Sequence, residues 1–485
     1  MRFFVVLRYV SYSLPLLSVF LLLSSIIAFL QGGLDTLPLV YTTCFTVLFG
    51  LFPLIFIPPI PDVSNKEGTL IVVFSWLVAC GIGAIPYILY GGPFTVTNAF
   101  FESVSGFTTT GSTILVDIEA LPQGLLFWRS ATHWIGGIGI VIFVVSLLPF
   151  LGFSEVVLFR SEISTLAQQS LQGRARHAVR ILVNVYTALT LLETICLLLA
   201  GMGLFDAVTH SFATIATGGF SPRNASVAHF NSPTIEGIIM LFMIFSGLPF
   251  YLLFGFAINR SIKPFWGSSA VRFYLVSMLI GIVLATLNQV NDGMVSLWTA
   301  LRHASFNILS VGTSTGFASA DTSIWPHASR LILLWFTLQC ACAGSTSGGI
   351  KVDRIVLALK GLGLRITQIM RPRAYVPMKL DREVVDVEYA NHAVVYITLY
   401  LVILVVGSLC LSLLGVGLVE SFSGAAACMG NVGPGLGGVG SIGNFNFIPE
   451  TGKWVLSLLM LLGRLEIFAL LIVFTPMQWS RMKGY

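Results

Sequence analysis

Charge is what this sequence has least of. Asp, Glu, Lys and Arg make up 10% of its 485 residues, whereas hydrophobic residues make up 56%, and the mean hydropathy is +0.90. A soluble domain carries roughly a quarter charged residues, so a soluble globular protein is excluded and an integral membrane protein remains. Cysteine is also sparse: seven residues, at 44, 80, 196, 340, 342, 410 and 428, six within apolar runs and none clustered with histidine. That pattern excludes a disulfide framework and a thiolate metal site, and reads as small packing residues. No paired nucleophile and base and no other metal-ligand cluster is visible, which argues against an enzyme. The strict apolar–polar alternation of a membrane barrel is missing too, and the long apolar runs favour helices.

What is present is a series of such runs, at about 3–30, 37–60, 70–90, 125–151, 179–204, 235–257, 273–290, 331–357, 393–418 and 454–474. Each approaches the ~20 residues that a helix needs to cross a bilayer. The first is too long for the core of a signal peptide and is followed by no small-residue cleavage site, so it reads as a span. About ten spans put both termini on one side. Of the 26 Lys and Arg, 20 fall on the side of the N-terminus. Only Arg129, Arg223, Arg302, Arg330 and Lys453 fall on the other, and Arg464 lies in mid-membrane. Positive loops stay cytoplasmic, so both termini are expected inside. The net charge of +5 then records topology and calls for no nucleic-acid partner.

Four of the outer connections are long, and each holds apolar and small residues followed by a glycine-bearing cluster. They read AFFESVSGFTTTGST (99–113), AVTHSFATIATGGFS (207–221), LRHASFNILSVGTSTGFAS (301–319) and SFSGAAACMGNVGPGLG (421–437). Aligning Gly111, Gly218, Gly316 and Gly433 gives separations of 107, 98 and 117 residues, as four copies of one unit would. The unit is span, re-entrant half-helix, polar hairpin, span, with half-helices at about 97–107, 206–215, 298–310 and 420–429. The expected divisions are an N-terminal two-helix extension (1–66) and repeats at 67–160, 161–262, 263–375 and 376–485. The fold class is therefore an all-α polytopic membrane protein of about ten helices, four pseudo-symmetric repeats around one axis plus the N-terminal pair.

Irregular backbone at membrane depth must line a protein cavity or a water-filled path. Four hairpins around one axis would let backbone carbonyls replace the hydration shell of a monovalent cation. The expected coordinating residues are Thr109, Thr110 and Gly111; Ala216, Thr217 and Gly218; Ser314, Thr315 and Gly316; and Asn431, Val432 and Gly433. Glycine permits the positive φ values that aim successive carbonyls inward. The half-helices would point their partial negative C-terminal ends at the same place. No acidic ring recurs across the clusters, so K⁺ is favoured over a divalent ion.

Two features lie beneath. Six small residues, Gly344, Ser345, Thr346, Ser347, Gly348 and Gly349, interrupt the eighth run. They read either as a close helix-packing seam or as an unwound intramembrane loop facing a wet cavity, and the second fits a flexible gate. Arg464, halfway along the last run, costs at least ~2.5 kcal/mol to insert. It is read either as a structural ion pair with Glu193 or Glu466 or as a positive barrier in the ion path. His133, Glu193 and Glu466 are taken as interior hydrogen-bonding groups.

The motifs TTTGS (108–112), WRSATHWIGGIGI (128–140), ATGGFS (216–221), TSTGFAS (313–319), AGSTSGGIKVDR (343–354) and GNVGPGLG (430–437) resemble those of the Trk/Ktr/HKT superfamily of potassium transporters, most closely its bacterial Trk-type membrane subunits. The resemblance covers essentially the whole chain. It implies a K⁺-channel-like pore in the bacterial cytoplasmic membrane, with one filter glycine per repeat and glycine at position 111 as in K⁺-selective members. It further implies a gating loop in the eighth span and an arginine in the last span that helps set the gate. A homodimer on a cytoplasmic ring of nucleotide-binding RCK regulatory subunits is implied as well. The basic inner segment from Lys351 to Arg382, with Arg174, Arg176 and Arg180, would offer that regulator a surface, or else bind anionic lipid.

Two glycine motifs are rejected as nucleotide sites. GLGGVG (435–440) follows no βαβ strand, and Ile350 stands where a phosphate loop needs lysine. Rival functional classes are a secondary transporter coupling K⁺ to Na⁺ or H⁺, and a membrane scaffold or sensor that moves no ions.

Overall fold

Proline and glycine inside otherwise uniform apolar runs decide where this chain stops behaving as a set of straight rods. In a computed structural model, which describes residues 2–58, 65–151, 171–293, 295–372, 376–381 and 383–474, the architecture is helical. The one sheet among the described residues is a two-stranded antiparallel ribbon, Lys379–Leu380 with Glu383–Val384. Among the described residues, six helices are long and apolar enough to cross a membrane: Phe3–Gln31 (with a turn at Tyr12–Ser13), Thr36–Phe56, Glu67–Tyr90, Val179–Leu199, Ser269–Asn291 and Val387–Leu413. The chain is a multi-pass membrane protein. The outward faces of these helices are apolar, as at Phe29, Leu48 and Leu279, as lipid requires.

Of the other expected spans, 125–151 is one continuous helix, Gln123–Leu151, and the remaining three are interrupted. The run at 235–257 bends by 102° between Pro233–Ser246 and Phe250–Asn259. Pro249 has no N–H to continue the helical ladder. The bend's freed groups are taken up by the eighth span, with the Phe250 N–H donating to Gly344 (3.1 Å) and Cys342 donating to Gly247 (3.2 Å). The run at 331–357 is likewise two helices, His327–Gln339 and Val352–Met370, separated by the small-residue segment. The last run breaks once, between Glu450–Arg464 and Glu466–Phe474.

Four shorter helices sit between these elements: Val96–Phe107, Leu204–Ile215, Leu297–Gly312 and Leu418–Gly430. Thr95 and Ser296 cap the first and third, their hydroxyls accepting the N–H of Asn98 and Thr299. All four become progressively buried toward their C-terminal ends. The N-terminal helices pack on one flank, where the Asp35 carboxylate accepts the Leu125 N–H (2.9 Å) at the start of Gln123–Leu151.

Candidate functional site

Each short helix ends in the same way. Past its last turn stands a non-glycine residue with positive φ: Thr109 (52°), Thr217 (55°), Ser314 (57°) and Asn431 (52°). The next N–H reaches back five residues: Thr110 to Ser105 (2.9 Å), Gly218 to Ala213 (2.8 Å), Thr315 to Ser310 (2.8 Å) and Val432 to Ala427 (2.9 Å). This is a Schellman C-cap, which usually employs glycine at the left-handed position. A side chain there costs about 1–3 kcal/mol and persists only where the surroundings dictate it. Four such residues, all fully buried, mark one strained locality.

Two residues beyond each of them is a glycine with positive φ: Gly111 (83°), Gly219 (80°), Gly316 (83°) and Gly433 (97°). A Cβ on Gly111 would overlap the carbonyl oxygen of Gly218. On Gly219 it would meet that of Thr315, on Gly316 that of Val432, and on Gly433 that of Thr110. The hairpins therefore abut in the cyclic order first, second, third, fourth, first, and the ring closes on itself. Ser112 adds a bond across the closing joint, its hydroxyl donating to the Gly433 carbonyl (3.0 Å). All four glycines line a single cavity of about 340 Å³.

This geometry corrects the alignment of the second hairpin by one residue. Gly219, not Gly218, is the counterpart of Gly111, Gly316 and Gly433, and the matching triplet is Thr217, Gly218 and Gly219. Ala216 falls back to the helix end, where its carbonyl accepts the Thr217 hydroxyl (2.6 Å). A Cβ on Gly218 would instead press on the His133 ring. The other triplets keep their register.

The hydroxyls divide by repeat. Thr110 and Thr315 share hydrogen bonds with Thr108 (2.7 Å) and Thr313 (2.8 Å), which in turn donate to the carbonyls of Val104 and Leu309. The corresponding positions of the second and fourth hairpins, Ala216 with Gly218 and Gly430 with Val432, have no hydroxyl. In the fourth, Asn431 donates to Thr110 (3.0 Å) and to the Met460 carbonyl (3.0 Å).

Behind the ring lies a buried scaffold that sequence reading missed. Glu102 and Arg129 form an ion pair (2.8 Å) and are each at most 1% exposed. Glu102 also accepts the Thr113 hydroxyl and the Ile114 N–H, and Arg129 reaches the Ser221 carbonyl (3.3 Å) and stacks on Phe220 (4.1 Å). Arg129 thus ties the first hairpin to the second and is not an outer-loop charge. Lys453 is not one either: it is buried, donating to Asn98 Oδ1 (2.9 Å) and the Asn446 carbonyl (3.0 Å). His133 bridges the Gly106 carbonyl (2.8 Å) and the Phe220 N–H (3.0 Å). That arrangement fixes the tautomer with the proton on Nδ1. At the outer rim the Asn224 amide donates to Asp117 (2.8 Å) and holds its carboxyl below the usual range.

Beneath the ring the segment Gly344–Gly349 lies against the hairpins from the inner side. The Ser314 hydroxyl donates to Ser347 (3.0 Å) and accepts the Gly348 N–H (3.1 Å). Thr346 donates to the Ile215 carbonyl (3.0 Å). A Cβ on Gly348 would press on Gly430 and Asn431. Arg464 holds the segment from the opposite side, donating to the carbonyls of Thr346 (2.7 Å) and Gly136 (3.2 Å). Its partners are backbone carbonyls, so the expected alternative of an ion pair with Glu193 or Glu466 is not what the geometry contains. Glu466 pairs with Lys351 (3.1 Å) and Arg354, and the Glu193 carboxyl is buried. Of the expected basic surface, the side chains of Arg174 and Arg176, with Arg373 and Arg382, lie outside the described residues.

A family model described as a cation transport protein, TrkH, matches residues 59–482. The chain belongs to the TrkH family. Among its relatives, "Trk system potassium uptake protein TrkH" of Salmonella typhimurium is 37% identical over 86% of this chain and 87% of its own length. The protein of the same name from Vibrio parahaemolyticus is 34% identical over 99% of this chain and all of the relative. The crystal structure of the potassium transporter TrkH from Vibrio parahaemolyticus superposes with a TM-score of 0.90 at 32% identity, covering 99% of this chain. These TrkH relatives are named as transport proteins, not enzymes.

Proposed function

We propose that this chain takes up K⁺ across the bacterial cytoplasmic membrane through a filter built from its four hairpins. The observation that carries this reading is the closed ring, in which four glycines share one cavity and each accommodates the carbonyl of the next hairpin. Carbonyls of Thr110, Gly218, Thr315 and Val432, with those of the flanking Thr109, Thr217, Ser314, Asn431 and the glycines, replace the hydration shell of the ion. The C-terminal ends of four helices add partial negative charge, which attracts a cation and repels an anion.

In this reading the spans and half-helices form four repeats, at 67–160, 161–262, 263–375 and 376–485, around one pore, with residues 1–66 as an outlying pair. Gly344–Gly349 is the gate and Arg464 holds it in place, its charge also opposing cation passage while the loop is closed. The names of the relatives, which specify potassium uptake, support K⁺ as the ion. The loop's inner continuation carries Lys360, Arg365, Arg371 and Lys379, the surface proposed for a nucleotide-binding RCK partner beneath a homodimer. Flux of K⁺, Rb⁺ and Na⁺ into proteoliposomes, with and without the cytoplasmic partner, tests this. K⁺ and Rb⁺ entry exceeding Na⁺ entry and persisting without a Na⁺ or pH gradient is expected. Dependence on such a gradient would replace conduction by coupled transport.

A further inference from the structure

The last span grips the loop twice. Arg464 holds its middle through the Thr346 carbonyl. Two residues on, Glu466 holds its inner end, accepting Lys351 Nζ (3.1 Å) and the Arg354 guanidinium. Both sides of this second contact are strained: Lys351 has φ 71° and Glu466, at the break of the last span, has φ 54°. Left-handed backbone at bulky residues persists only when the surroundings over-determine it, and here the charges that hold it are on the strained residues themselves. Lys351 and Arg354 are 5% and 9% exposed. Arg354 also stacks on Tyr396 (3.8 Å) and donates to the Ile350 carbonyl (3.3 Å).

These cations stand at the start of the helix Val352–Met370, and Asp353 in the same turn accepts the Ala343 N–H at the loop's other end. One helical turn therefore carries both anchors of the loop. A displacement of this helix therefore acts directly on the Glu466 pair.

We infer that Glu466 is a latch: a positioning residue whose pair with Lys351 and Arg354 keeps the loop closed until displacement of the Val352–Met370 helix breaks it. The latch rests on the conduction reading above. It is the second of two holds, and it differs from Arg464 in standing on the line through which a regulator pulls.

The test uses the full chain in proteoliposomes, with Rb⁺ uptake measured without the cytoplasmic partner. Glu466→Gln, recovered as a monodisperse folded protein, is expected to raise basal uptake about tenfold, as loss of a charge-assisted contact implies. The exchange of charges in Lys351→Glu with Glu466→Lys is expected to return uptake toward the wild-type level. If Glu466→Gln is not recovered folded, Lys351→Gln removes the same pair from the other side, and the same rise is expected. Wild-type basal uptake in the folded single variants overturns the latch alone, as does an exchange variant that remains as leaky as the singles. Absence of Rb⁺ uptake by the wild type in every condition overturns the conduction reading and the latch with it.

Discussion

The layer of the four hairpins and the layer directly beneath it follow opposite rules. Above, four segments of different sequence adopt one backbone: the same left-handed cap, the same five-residue return bond, the same glycine against the same neighbouring carbonyl. Below, nothing is repeated. One segment is the broken span with Gly344–Gly349, another supplies Arg464 and Glu466, and a third contributes the bend at Gly247–Pro249, whose freed backbone groups bond to the broken span. For the proposed filter, equal quarters would offer equivalent carbonyls to a spherical ion. An element that must move is served by a single strand, because one segment shifts without dismantling three others.

The contrast is sharpest in how each layer is held. The ring is backed by the buried Glu102–Arg129 pair. Glu102→Ala should therefore have the largest effect of all, about 3–5 kcal/mol of stability, because it strands a buried guanidinium. Thermal unfolding in detergent measures it, and an unchanged transition would mean that the upper layer does not depend on its scaffold. Next is the hold on the loop. Arg464→Ala removes two charge-assisted bonds to carbonyls, each worth about 1.5–3 kcal/mol. Basal Rb⁺ flux should rise while the K⁺ over Na⁺ preference stays intact. A collapse of that preference would show that the two layers are not separable.

Gly111→Ser acts on the upper layer alone, since its side chain would displace the Gly218 carbonyl. A strain of ~1–2 kcal/mol corresponds to roughly a tenfold loss of K⁺ over Na⁺ discrimination in competitive flux. Gly219→Ser should do likewise, and if only Gly218→Ser had this effect the corrected register would be wrong. The smallest change concerns the joint between the layers. Ser347→Ala removes the hydroxyl that meets Ser314, worth about 0.5–1.5 kcal/mol, and should make opening modestly easier without altering selectivity.

The upper layer was largely legible in the sequence because its signal is chemical. Hydroxyls and glycines in an apolar chain stand out, and the short helices fall within about two residues of where the clusters place them. The one error, at Gly218 and Gly219, has a clear cause. With two glycines side by side, residue type does not say which adopts positive φ, and the decisive marker, Thr217 in the left-handed region, belongs to a residue that gives no hint of it. Much of the lower layer was hidden for the converse reason. Arg464 was visible as a misplaced charge, but its partners are the carbonyls of Thr346 and Gly136, which every residue possesses. The 102° bend lies in a run whose hydropathy never falters, although Gly247 and Pro249 were there to be weighed. The pair of Glu102 with Arg129 joins residues that sequence reading assigned to different environments.

The ring's closing joint fixes when this protein becomes what it is. Ser112 bonds to the carbonyl of Gly433, 321 residues further along, so the first quarter waits for all of those residues to be translated. The ring of four hairpins therefore cannot close before the fourth has been made.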